Sequence, residues 1–110
     1  MTVLDVAKIQ SFIEWLKGAY SHKGDCEIMV MYEYDSIEAP DGGIGFGVYV
    51  PEAKTIYVAG DIPEAEHTVP HTIAHEYAHF LQDMNGKPYD EEAADLFADD
   101  VLELYSAMNR

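Results

Sequence analysis

The chain has 110 residues, of which 21 are Asp or Glu against 6 Lys or Arg, giving a formal charge of −15 at pH 7. That surplus of acid excludes an extended nucleic-acid or anionic-membrane surface, which needs clustered Lys and Arg, and the single cysteine, Cys26, excludes an intramolecular disulfide framework. Hydrophobic residues make up 48% of the chain, the share of an ordinary globular domain, so the acidity does not signal disorder. The length suits one domain spanning residues 1–110. No apolar run reaches the roughly 18 residues of a membrane span, and the N-terminus lacks a basic leader region, so the expected location is cytoplasmic, with no membrane partner.

In chain order, residues 3–20 predict a helix. Val6, Ile9, Phe12, Ile13, Leu16 and Tyr20 recur at helical spacing, with Thr2 as N-cap and Gly18 or Gly24 as stop. Residues 26–34 suit a strand with one face more buried than the other, and Ala39 to Gly43 a turn. Ile44 to Val50 and Lys54 to Ala59 predict two more strands, joined by Pro51, Glu52 and Ala53. Short connections suggest an antiparallel meander of the three. Gly45 and Gly47 weaken the middle strand or mark a close backbone approach. Pro70 is expected in the first turn of a helix reaching Met84, with Asn85 and Gly86 ending it. Asp90 then caps a helix from Glu91 to about Met108. The expected class is α+β: an N-terminal helix, a three-stranded, mainly antiparallel sheet and two further helices.

Four of the five histidines, at 67, 71, 75 and 79, are spaced by four. Within the run stands His75-Glu76-Tyr77-Ala78-His79, an H-E-x-x-H pentapeptide on a predicted helix. Residues four apart on a helix are neighbours, about 6 Å apart along the axis, so two such imidazoles converge on one zinc ion. Glu76 then lies beside the ion, placed to polarise a bound water. Ile73, Ala74, Tyr77, Phe80, Leu81 and Met84 form the apolar stripe of this helix, and His71, His75 and His79 share the opposite side with Gln82 and Asp83. A solvated polar helix face is the alternative reading of that side.

Zinc at a catalytic site requires a third protein ligand. Glu91 and Asp95 sit four apart on the last helix, on a side shared with Ala98, Leu102 and Tyr105. Carboxylates on a largely apolar face are costly to bury unpaired, and a metal with a metal-bound imidazole is a partner for them. Glu91 is the expected third ligand. Asp95, one turn on, is expected to accept a hydrogen bond from a ligand imidazole and hold its orientation. His71 to His79 spans about 12 Å of helix, too far for all three to hold one ion, which makes His71 a rim, packing or substrate-side residue. His67 is expected at the surface, and Cys26 as a small buried apolar residue.

His-Glu-x-x-His followed by Glu-x-x-x-Asp on the next helix (residues 75–79 and 91–95) resembles the gluzincins, zinc peptidases of the thermolysin type. The small size is similar to the minigluzincins, minimal zincin-like domains, and Glu91 to Ala98 resembles a helix of the ImmA/IrrE metallopeptidase-like domains. The resemblance implies a zincin-like metallopeptidase with His75, His79 and Glu91 as zinc ligands on an active-site helix and a glutamate helix. Glu76 is then the general base and Asp95 the orienting residue. It also implies an extended peptide or protein substrate aligned on a strand, for which Ile56 to Ala59 is the expected choice. Tyr57, Tyr89, Tyr105, His67 and His71 are candidates for the group that stabilises the oxyanion. The chain departs from the family in the short connection between His79 and Glu91, in Ala93 where a second Glu is usual, and in lacking the second subdomain of larger enzymes. The alternatives are an ImmA/IrrE-like regulatory module that cleaves or binds one dedicated partner, a latent zinc-fold domain, and a metal-free structural domain.

Overall fold

A computed structural model describes residues 3–109, together with all their side chains except those of residues 3, 4, 22, 66 and 67. The expected Thr2 cap and the His67 side chain therefore lie outside the described residues. The architecture is α+β. Helix α1 (Val3–Ala19) leads through a 3-10 turn, Ser21–Lys23, into β1 (Glu27–Met31). Strands β2 (Ile37–Glu38), β3 (Ile44–Gly45), β4 (Gly47–Val50) and β5 (Thr55–Ala59) follow, then α2 (Ala65–Met84) and α3 (Glu91–Met108). No helix of the described residues is long and apolar enough to cross a membrane.

The sheet departs from the expected meander. Its order is β1-β5-β4, with β4 antiparallel to β5 but β1 parallel to it, Ile28 opposite Ile56 and Val30 opposite Val58. The cause is visible in β5, where only Tyr57 escapes burial. A strand covered on both faces belongs in the centre, and the more amphipathic β1 takes an edge. The expected single strand over 44–50 also divides. Phe46 interrupts it, giving its carbonyl to the Ala59 amide at 2.8 Å, while β3 pairs with β2 in a separate two-stranded ribbon.

Helix α2 begins five residues before Pro70, at Ala65, so Pro70 stands inside the helix rather than in its first turn. Its fixed φ is helical, and the cost is one missing donor and a crowded carbonyl near the helix start. The end is as expected: Gly86 turns into the left-handed region (φ 66°), and the Lys87 amide bonds the Gln82 carbonyl at 2.9 Å. Helix α3 starts where the sequence places it, with Asp90 Oδ1 accepting from the Ala93 amide at 3.0 Å.

Phe12 and Leu16 of α1, Ile56 and Val58 of β5, and Ile73, Tyr77 and Phe80 of α2 form the core. Ala74, Ala78, Ala94 and Ala98 are buried as well, and such small side chains let α2 and α3 approach closely. Cys26 is buried as expected, and burial pushes its thiol up to about 12.

Candidate metal centre

Helices α2 and α3 are joined by three matched pairs. His71 Nε2 lies 3.1 Å from Asp99 Oδ1, His75 Nδ1 2.8 Å from Asp95 Oδ1, and His79 Nε2 2.8 Å from Glu91 Oε1. Each step of four forward on α2 is a step of four back on α3, the register of two antiparallel helices whose facing residues recur every turn. The middle imidazole is engaged on both sides, because His75 Nε2 also lies 3.1 Å from Glu91 Oε2. The two carboxylate oxygens of Glu91 thus meet the two imidazole Nε2 atoms. His75, Glu76 and His79 bring one ligand atom each to within 4.8 Å of one another, a group able to hold a metal ion.

Burial grades along the row. His79 is 5% exposed and Glu76 8%, whereas the side chains of Glu91 and Asp95 are 75% and 63% exposed. Pairing with the imidazoles, rather than the cost of burial, is therefore what places the two acids. Glu76 is the strained charge. Burial pushes its carboxyl above the usual range, against the pull of His79 and His75 and of a backbone hydrogen bond from Tyr49.

These groups line a cleft of about 650 Å³ whose far wall is the outer edge of β4, with Phe46, Val48 and Pro51. Gly47 brings that wall close. A Cβ there would stand 2.7 Å from Thr72 Cγ2 and 3.3 Å from Glu76 Cγ, so the glycine marks close approach of the strand to α2 side chains. Tyr49 of β4 is buried and fastens the strand to α2, donating from its hydroxyl to Asp83 Oδ2 at 2.7 Å, while Lys54 Nζ donates to the same oxygen at 2.8 Å. These two hydrogen bonds hold the Asp83 carboxyl below the usual range. Tyr89, half exposed, lays its ring against His79 with centroids 5.1 Å apart.

No protein-family model matches the chain, and neither does any curated protein or solved structure.

The residues singled out in the sequence divide accordingly. His75, Glu76, His79, Glu91 and Asp95 come together, and His71 and Tyr89 line the same cleft. Tyr57 and Tyr105 do not. Strand alternation turns Tyr57 away from the helix-facing Ile56 and Val58, into a shallow groove with Met31 and Val48. Tyr105, more than two turns beyond Asp95, packs on Phe12 and Trp15 at 5.1 and 5.0 Å. Strand β5, central in its sheet, has no free edge to offer a peptide; the free edge at the cleft belongs to β4. Asp99, the partner of His71, was not singled out, and neither were three others. Asp83 and Gln82 read as ordinary members of a polar helix face, although they stand four and three residues past His79, and Tyr49 as one of several strand aromatics.

Proposed function

We propose that the chain is a zinc-dependent metallopeptidase of gluzincin type, in which His75, His79 and Glu91 hold the ion and Glu76 is the general base. One observation carries this reading: both imidazole Nε2 atoms meet the two oxygens of Glu91, at 3.1 and 2.8 Å, with Glu76 beside them in an open cleft. Two imidazoles and one carboxylate, with no thiolate, form the donor set of catalytic rather than structural zinc sites. Bound zinc supplies Lewis acidity, lowering the pKa of water and polarising a carbonyl.

Glu76 takes a proton from the attacking water and passes it to the leaving amine. The outer edge of β4 offers backbone groups to an extended peptide. Tyr89 beside His79, and His71 one turn before His75, flank the imidazoles and can meet charge developing on the carbonyl oxygen.

Metal analysis of protein purified without added zinc, repeated on His75→Ala and Glu91→Ala, tests the site. Near-stoichiometric zinc in the parent and its loss in both variants is expected, and near-zero zinc in the parent would sink the reading. Cleavage of a mixed peptide library, compared with Glu76→Gln, tests the chemistry. The variant should keep zinc and lose cleavage. A parent that holds zinc and cuts nothing would favour the binding module.

A further inference from the structure

Gln82 lies one turn past His79 on α2, and neither ligation nor proton transfer as described above uses it. We propose that Gln82 is a positioning residue that presents His79 Nε2 to the ion and fixes the chain returning to Glu91, so that one side chain sets a ligand on each helix. The role in metal binding rests on the zinc-site reading; the hydrogen-bond assignment stands without it.

The orientation of the Gln82 amide follows from the backbone of Asp90. An amide N–H can only donate, so the Gln82 atom 3.2 Å from Asp90 N is Oε1. A carbonyl can only accept, so the atom 3.1 Å from the Asp90 carbonyl oxygen is Nε2. With Oε1 fixed as an acceptor, His79 Nδ1, 2.9 Å from it, must carry a hydrogen. With the Nδ1 hydrogen held by Gln82, Nε2, 2.8 Å from Glu91 Oε1, is the nitrogen left to an ion. Asp95 does the same for His75 from the opposite helix. Without Gln82 the Nδ1 hydrogen loses this acceptor, and the ring loses the contact that sets its orientation toward the ion.

The other half of the device concerns Asp90. This residue caps α3 through the Ala93 amide and immediately precedes Glu91. Gln82 grips both its N–H and its carbonyl, closing the connection between the helices against the last turn of α2. The start of α3, and with it the Glu91 carboxylate, is thereby tied to the residue that orients His79.

Two variants separate the halves. Gln82→Met keeps the side-chain volume and removes every hydrogen bond; Gln82→Glu keeps an acceptor for His79 but loses the donor to Asp90. The readouts are hydrogen exchange of the Asp90 amide in metal-free protein and zinc affinity by competition with a chromophoric chelator. The Asp90 amide, which donates to Gln82 Oε1, should exchange faster in Gln82→Met than in the parent. Zinc affinity should fall about 10- to 100-fold in Gln82→Met, and less in Gln82→Glu. Either parental Asp90 exchange or affinity within about twofold of the parent in Gln82→Met would overturn the proposal. Should Gln82→Met fail to fold, parental Asp90 exchange and parental zinc affinity in Gln82→Ala overturn it instead. A parent that takes up no zinc defeats the zinc-site reading, and Asp90 exchange still decides whether Gln82 fixes the chain returning to Glu91.

Discussion

His75 and Glu76 are adjacent in the chain, yet their surroundings ask opposite things of them. Both nitrogens of His75 face carboxylates, Asp95 at Nδ1 and Glu91 at Nε2, so the ring is oriented before any ion arrives. Removing the orienting partner should cost about 10- to 100-fold in zinc affinity for Asp95→Ala, with Asp95→Asn, which keeps an acceptor oxygen, losing less. Chelator competition reads the difference, and equal affinities in all three proteins would deny Asp95 its role. Glu76, in contrast, is a buried carboxyl whose pKa is raised. A carboxyl that binds its proton more tightly in the folded state costs stability as pH rises from its unfolded pKa through the folded one. Glu76→Gln should therefore raise the Tm of the metal-free protein at neutral pH, with the gain fading in acid. A bound cation stabilises the carboxylate, so the gain should also shrink in zinc-loaded protein. Calorimetry across pH, with and without zinc, checks both signs.

At the scale of elements, the cleft depends on how closely β4 sits on α2. Gly47→Ala would drive a Cβ to 2.7 Å from Thr72 Cγ2, an overpacking expected to cost about 1–3 kcal/mol in denaturant titration. A neutral outcome would show that the strand moves freely. The other fastening is Asp83, which accepts from both Tyr49 and Lys54 and has a lowered pKa. Its contribution is present above the unfolded carboxyl pKa and is lost as pH falls through the lower folded value. Asp83→Asn should lower Tm at neutral pH, and the gap to the parent should close in acid; a gap independent of pH would rule out the charge. Much of this arrangement was legible in the sequence. The helices are marked by apolar periodicity and by Asp90 and Gly86, and the steps of four along α2 and α3 bring His75, His79, Glu91 and Asp95 to one place. Strand partnership was not legible, because pairing β1 with β5 is decided by burial of β5 on both faces, a property of the assembled molecule. Gln82 and Asp83 escaped for a related reason. Their partners, Asp90, Tyr49 and Lys54, belong to other elements, and nothing local separates such residues from a solvated helix face.

For the molecule as a whole, the charge of −15 is unevenly distributed, with thirteen acids against three bases in residues 51–110. Part of that excess, Glu52, Glu76, Glu91 and Asp95, borders the cleft together with Asp41, and neither Lys nor Arg is among the lining residues. The proposed divalent cation would offset the acids nearest the imidazoles, but Asp41 and Glu52 lie on the opposite wall, with Pro40 and Pro51. A cleft lined by one sign of charge concentrates ligands of the other sign, and the effect weakens as salt shortens the screening length to about 8 Å at physiological ionic strength. The proposed peptidase should therefore favour cationic peptides. Raising salt from low to well above physiological strength should lower kcat/KM for a Lys-rich peptide by roughly tenfold, the low end of electrostatic steering. An acidic peptide of equal length should gain or stay unchanged under the same titration. Because zinc loss would depress both substrates together, opposite responses in the two peptides isolate the field of the cleft, and parallel responses would remove charge from the account of substrate choice.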